Sequence, residues 1–251
     1  MLREDVVFGP IKSRRLGNSL GINLLPEKGK LCNFDCIYCE CGWNKDGRDD
    51  NKLPTAADVK KALEAKLQAI LAEGTPIDSI TFSGDGEPTL NPEFPQIIDD
   101  TIELRDRYFP KAVTSVLSNA TRAHIPEVFN ALCKVDNPIM KIDAPSDDLV
   151  ARINRPAPGY SLSRVIEALK KFNGNFVLQT MFLRSRDFDS SSEEVLKGWM
   201  SIVRELRPRE IMVYTIDRPT PEADLTKFTP EQMKTFVQPL LDEGYNIQIK
   251  G

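Results

Sequence analysis

The sequence predicts an α/β protein, an open, partial (β/α)6 TIM-like barrel with parallel strands. Three observations carry this. Short β-rich runs alternate with longer amphipathic segments along the chain. The length of 251 residues suits one such domain with a sizeable core. The unusual residues fall after the strands, at the ends where the loops of a parallel barrel converge on one mouth. Strands separated by helices need crossover connections, which are right-handed and leave neighbouring strands parallel. Six or seven such units fall short of the eight of a closed barrel, so the sheet is expected to stay open.

Strands are expected at 20–25, 77–82, 112–117, 138–142, 176–182 and 210–216, with a last candidate at 246–249. The clearest helix lies between the first two: Thr55 reads as its N-cap, Val59, Leu63, Leu67 and Ile70 form one apolar face, and Gly74 stops it. Further helices are expected at roughly 92–108, 125–133, 147–153, 161–172, 191–206 and 230–243. No repeat, low-complexity tract or long linker divides the chain. A single domain over 1–251 is expected, with a C-terminal extension at about 220–251.

Composition narrows the function classes. With 41% hydrophobic and 28% charged residues the chain is an ordinary globular protein, which excludes collagen, coiled coil and long disorder. A balance of 33 Lys+Arg against 37 Asp+Glu gives no global basic field for nucleic acid. The opening residues lack the apolar core of a signal peptide, and no stretch approaches the ~18 apolar residues of a membrane span. A cytoplasmic protein without a membrane partner is expected.

Of five cysteines, Cys32, Cys36, Cys39 and Cys41 fall within ten residues and only Cys133 stands apart. Disulfides are rare in reducing compartments, whereas tightly spaced thiols there bind metal. Cys32, Cys36 and Cys39 form a C-x3-C-x2-C spacing. Three thiolates on one short loop can ligate three irons of a [4Fe-4S] cube and leave the fourth open to a small molecule. Cluster sites ordinarily use four cysteines, and an open position is what separates a catalytic metal site from a closed one. Structural zinc would need a second pair of ligands, and the only histidine, His124, is far along the chain.

This spacing, with the aromatic Tyr38 just before the third cysteine, resembles the defining motif of the radical SAM superfamily, and the resemblance runs along nearly the whole chain. It implies that Cys32, Cys36 and Cys39 ligate a [4Fe-4S] cluster in a loop at about 32–41. It implies that the open iron is chelated by S-adenosyl-L-methionine, with Tyr38 near the adenine. An electron from the cluster then cleaves the sulfonium to a 5'-deoxyadenosyl radical, which abstracts hydrogen from a substrate in oxidoreductase- or lyase-type chemistry. A reductant such as flavodoxin or ferredoxin is the implied partner. Cys41 exceeds the minimal motif and is read as a small loop residue.

The remaining strand ends fit around this. Gly84-Asp85-Gly86-Glu87-Pro88 resembles the family's glycine-rich motif after the second strand: Gly84 and Gly86 permit close backbone approach to a ligand, and the Glu87 carboxylate can accept from the ammonium of the cofactor. Read alone it is a common turn composition. Ser118 and Asn119 offer hydroxyl and amide groups to the cofactor, or cap a helix. Gln179 and Thr180 are polar in an apolar strand, and one of them is expected to face the interior, on ribose or substrate. Lys141 and Asp143 flank Ile142 and so share a face of the sheet; they could form a buried structural pair, but at the mouth of a barrel they are assigned to substrate. Arg218, beside Asp217, is placed as a clamp for a carboxylate or phosphate, or in a surface salt bridge.

The block from Gly9 to Asn23 and the SGDGEPTLN segment look like the subgroup similar to tRNA wyosine-type (4-demethylwyosine) synthases, which includes bacterial members without an assigned substrate. Lys12, Arg14 and Arg15 would suit phosphates, yet three cations are also an ordinary solvated face. A tRNA substrate is allowed but not favoured, beside a peptide or small metabolite. A non-catalytic iron–sulfur protein for electron transfer or redox sensing, and a zinc-stabilised RNA-binding module, are the alternative readings.

Overall fold

The computed structural model describes residues 5–13, 15–46 and 52–251; of the basic residues named above, Arg14 lies outside them. The chain forms two compact units. The described residues of the first fall in 5–32, 44–118 and 125–138, and those of the second in 33–43, 119–124 and 139–251.

In the first unit the strands β1 (Val7–Ser13), β2 (Gly17–Ile22), β3 (Ser79–Phe82) and β4 (Val113–Ser118) lie in that order across the sheet. The β2–β3 and β3–β4 pairs are parallel, as expected, while β1 pairs antiparallel with β2. Strand β1 is absent from the sequence reading because Gly9 and Pro10 interrupt its alternation and mimic a turn. The structure absorbs them as a shift of register between Phe8 and Ile11, the kind of irregularity at which a strand tolerates proline.

Among the described residues this unit also has the α-helices α1 (Ala56–Glu73), α2 (Phe94–Tyr108) and α3 (Pro126–Leu132) and a short 3-10 turn at Pro88–Leu90. Thr55 caps α1 by accepting from the Asp58 amide, and Asp58 returns the bond to the Thr55 backbone. Gly74 ends the helix in the left-handed conformation, φ 69°. The stripe Val59, Leu63, Leu67 and Ile70 is buried, as are Phe94, Ile97, Ile98 and Leu104 of α2. Within the sheet, hydroxyls link β2, β3 and β4: Ser19 to Thr81 at 2.7 Å, Thr81 to Ser79 at 2.9 Å and Ser79 to Ser115 at 3.1 Å. Mutual pairing is what lets these polar side chains stay buried.

In the second unit β5 (Asn137–Lys141, from Ile139 onward), β6 (Val177–Met181), β8 (Glu210–Tyr214) and β10 (Ile247–Lys250) lie in that order and are parallel throughout. A two-residue antiparallel clip, β7 (Leu183–Arg184) with β9 (Thr226–Lys227), escaped the sequence reading because strands this short carry no periodicity. Its helices are α4 (Asp147–Ile153), α5 (Leu162–Lys170), α6 (Glu193–Leu206) and α7 (Pro230–Asp242). Trp199 of α6 meets Phe182 edge-on at 5.3 Å. Along the chain β2, β3, β4 and β5 each lead to a helix, and β6 and β8 do so after the short β7 and β9, so the expected alternation holds. No helix among the described residues is long and apolar enough to cross a membrane.

The packing of α1 sets an expectation. Leu67→Ala removes a side chain with no exposure and is expected to cost about 2–5 kcal/mol. Leu71→Ala, one turn on and 51% exposed, is expected to stay within about 0.5 kcal/mol. Urea denaturation of the two variants checks the contrast.

Candidate active site around the cysteine loop

In the second unit the segment 33–39 is held by the end of α4. Asp35 N–H donates to Asn154 O at 2.8 Å, Ile37 N–H to Ile153 O at 3.0 Å, and Ala157 N–H returns a bond to Asn33 O at 2.8 Å. Phe34 pairs with Pro156 and meets Tyr160 edge-on at 5.4 Å. Backbone bonds thus hold the loop to the end of α4, with Cys36 and Tyr38 in the interior.

The interior partner is Asp143. Its Oδ2 accepts from the Tyr38 hydroxyl, from Asn154 Nδ2 at 2.7 Å and from Lys141 Nζ at 3.3 Å, while Oδ1 accepts from the Met181 amide at 2.9 Å. The Lys141 ammonium stands 4.6 Å from the centre of the Tyr38 ring and 3.2 Å from the Tyr214 hydroxyl. Burial alone would lower the Lys141 pKa, but the adjacent carboxylate prevails and holds it above its ordinary value. Lys141 is therefore charged at neutral pH. Burial, followed by the Asp143 charge, pushes the Tyr38 phenol well up, so it remains a donor. Cys36 is pushed up by burial and partly pulled back by Lys141, and Asn154 Nδ2 lies 3.3 Å from its sulfur.

In the first unit the loop after β3 is strapped to the residue before Cys32. Leu31 N–H donates to Asp85 O at 2.9 Å, and Glu87 N–H donates to Leu31 O at 3.1 Å. This explains the glycines. A Cβ on Gly86, whose φ is +143°, would stand 1.8 Å from Leu31 O, and one on Gly84 would stand 1.9 Å from the Asn23 side chain. One close approach they allow is to the chain itself. Glu87 is buried and accepts from the Thr89 amide at 3.1 Å and from Ser118 Oγ at 2.8 Å. Cys32 N–H donates to Asn44 Oδ1 at 3.1 Å.

Other expected site residues are placed as follows. Asn119 donates to Asn33 Oδ1 at 2.6 Å and accepts from Thr121, a turn built on the cysteine segment rather than a helix cap. Gln179 is in register with Lys141 and shares its face. Thr180 faces the other way: its hydroxyl donates to Ile142 O at 2.7 Å and accepts from the Trp199 indole at 3.0 Å, which turns it toward α6. Arg218 forms an exposed pair with Glu40 at 2.8 Å, the surface salt bridge among its two readings. His124 hydrogen-bonds Thr121 O at 3.0 Å. The sequence reading missed Asn154, because an Asn two residues before Pro156 reads as an ordinary helix end, and Tyr214, which reads as one more aromatic in a strand.

Comparison with known proteins bears on this arrangement. The family model of the Radical SAM superfamily matches residues 27–197. A UPF0026 protein of Helicobacter pylori is 32% identical over 231 residues, covering 88% of this chain and 70% of its own. A Brachyspira hyodysenteriae protein named GTPase Obg is 28% identical over 239 residues; the match takes in 93% of this chain and spans only 33% of that protein. Among solved structures, a radical SAM methyltransferase from Sphaerobacter thermophilus superposes with a TM-score of 0.69 at 17% identity, over 92% of this chain and 65% of that one. At that identity the likeness speaks for the fold, an α/β partial barrel.

Two outcomes are expected from the geometry. Asp143→Asn should cost about 3–5 kcal/mol, because it leaves the Lys141 charge buried without its partner. The Lys141→Met/Asp143→Asn double variant should cost less than the sum of the single changes, as urea denaturation of the full cycle would register. Since the folded pKa of Lys141 is raised, its contribution is complete below the ordinary lysine range and is lost only as pH rises through the folded value. Separately, Gly86→Ala should push Leu31 away from the loop after β3. Amide exchange by NMR would then show Leu31 N–H losing protection, and unchanged protection would refute the strap.

Proposed function

Because the chain belongs to the radical SAM superfamily, we propose that it is a radical S-adenosylmethionine enzyme in which Cys32, Cys36 and Cys39 hold a [4Fe-4S] cluster. The chemistry of the donor set fits that group. The loop offers thiols at the spacing of the motif and no histidine. A cube takes its thiolates on separate irons, which suits cysteines spread along one loop. When bound, the cluster and S-adenosylmethionine supply one-electron cleavage of a carbon–sulfur bond and abstraction of a substrate hydrogen.

The chain's own residues hold and orient. Asp143 spends its lone pairs on Tyr38, Asn154, Lys141 and the Met181 amide, so its part is to fix the cysteine segment rather than to meet substrate. Lys141 contributes a permanent positive charge beside Cys36 and Tyr38. Glu87 and Ser118, with the backbone around Gly84 and Gly86, are assigned to the methionine end of the cofactor, Asn119 to its carboxylate or ribose, and Tyr38 to the adenine. Gln179, on the Lys141 face, is left for ribose or substrate; Thr180 is spent on Trp199. Arg218 can exchange Glu40 for an anionic group on the substrate at little cost, since exposed ion pairs contribute only about 0–1 kcal/mol.

The single observation that carries this reading is the C-x3-C-x2-C segment tied by its backbone to α4 and by Tyr38 to Asp143. An oxidoreductase or lyase reaction, a flavodoxin- or ferredoxin-like reductant and a cytosolic location complete the proposal. A tRNA substrate, drawn from the likeness to wyosine-type synthases, remains the less favoured choice. Most of the Gly9–Asn23 segment that suggested it is framework, in β1 and β2.

Anaerobic reconstitution with iron, sulfide, dithionite and S-adenosylmethionine tests it. The expected products are 5'-deoxyadenosine and methionine. Cys32→Ala, Cys36→Ala and Cys39→Ala should each lose iron and cleavage together, and Cys41→Ala should keep both. Iron without cleavage would favour an electron carrier or redox sensor, and one zinc per chain a zinc-stabilised module.

A further inference from the structure

Asn154 is the C-cap of α4, a helix of only seven residues, and it is 1% exposed. Its backbone carbonyl already holds Asp35. Its side chain reaches further into the interior. The amide nitrogen has two hydrogens and three neighbours: Asp143 Oδ2 at 2.7 Å, Cys36 Sγ at 3.3 Å and Tyr38 Oη at 3.3 Å.

Charge and distance settle where the hydrogens go. An ionised carboxylate only accepts, so Asp143 fixes both the rotamer and the flip of the amide, with nitrogen rather than oxygen turned inward. One hydrogen goes to that carboxylate, at a length normal for a charge-assisted bond. The second has a choice between sulfur and phenol. Bonds from N–H to oxygen run to about 3.2 Å, so 3.3 Å is long for Tyr38 Oη. Sulfur is the larger atom, and the same distance is close for Cys36 Sγ. The phenol oxygen also carries a hydrogen, which it gives to Asp143. A cluster-bound sulfur carries more negative charge than a thiol, which draws the amide hydrogen further toward it.

We propose that Asn154 is a positioning residue for the iron–sulfur centre. Its side-chain amide, clamped by Asp143, donates a hydrogen bond to the Cys36 sulfur and thereby raises the reduction potential of the cluster bound there. Hydrogen bonds to the sulfurs are among the levers that set cluster potentials, since they stabilise the more negative, reduced form. The inference rests on the proposed cluster ligation but concerns its tuning, which the motif does not specify. It also gives Asp143 a second consequence. By orienting the amide, Asp143 controls whether Cys36 receives a donor.

The test compares the reconstituted protein with Asn154→Leu, which keeps the size and backbone but has no donor, and Asn154→Ser, which keeps a hydroxyl donor on a shorter arm. Iron and sulfide content and the midpoint potential, by EPR-monitored anaerobic titration, are the readouts. The expected result is full iron content in all three, a more negative midpoint for the leucine variant, and a smaller shift for serine. Should only the serine variant assemble a cluster, a negative shift relative to the unaltered protein supports the proposal and no shift overturns it. Equal midpoints overturn the tuning role. Loss of the cluster from both variants also overturns it, since the bond would then serve assembly alone. Absence of a cluster from the unaltered protein would refute the enzyme reading itself, an outcome separate from the other two.

Discussion

A carboxylate with no exposed side-chain surface governs the second unit. Asp143 cannot be buried as a charge unless its oxygens are fully engaged, and its partners come from separate stretches of chain: Tyr38 from the cysteine segment, Lys141 from β5, the Met181 amide from the end of β6 and Asn154 from the end of α4. Each is needed to keep the others in place. The requirement to satisfy one charge is what converts a short cysteine-rich stretch, too small to have a core of its own, into a defined loop.

The first unit reaches the same end by different means. Its strap is made of backbone bonds between Leu31 and the loop after β3, and what makes them feasible is missing volume rather than satisfied charge. Gly84 and Gly86 leave room for Asn23 and for the Leu31 carbonyl. Such a contact tolerates changes of surface charge and salt but not the addition of a methyl group, whereas the Asp143 cluster is intolerant of losing a partner.

Much of the fold was legible in the sequence because helices and strands announce themselves by period. The cap at Thr55, the stripe from Val59 to Ile70 and the stop at Gly74 are local signals with local causes. Alternation likewise put Lys141 and Asp143 on one face, and Gln179 and Thr180 on opposite ones. Which of the latter two turned toward α6 was not legible, because it depends on Trp199, nineteen residues on. The strand β1 was hidden by Gly9 and Pro10, whose local meaning is a turn and whose role here is an interruption. The cysteines were found by spacing alone. The residue that meets Cys36 was not, since Asn154 is 118 positions away and joins it only through the fold.

The strap between Leu31 and Gly86 also bears on how the chain can change over time. It closes a long excursion that contains α1 and β3, which are held by their own packing and pairing and are joined by an exposed turn at Gly74. The entropy of closing a loop grows slowly with its length, by about 0.6 kcal/mol per doubling. Residues added or removed at that turn, just after Gly74, are therefore absorbed cheaply. A single insertion between Leu31 and Cys32 would instead move the first thiol out of step with the bonds that place it. Lineages of this protein should accordingly vary in length inside the excursion and hold it constant at the two ends.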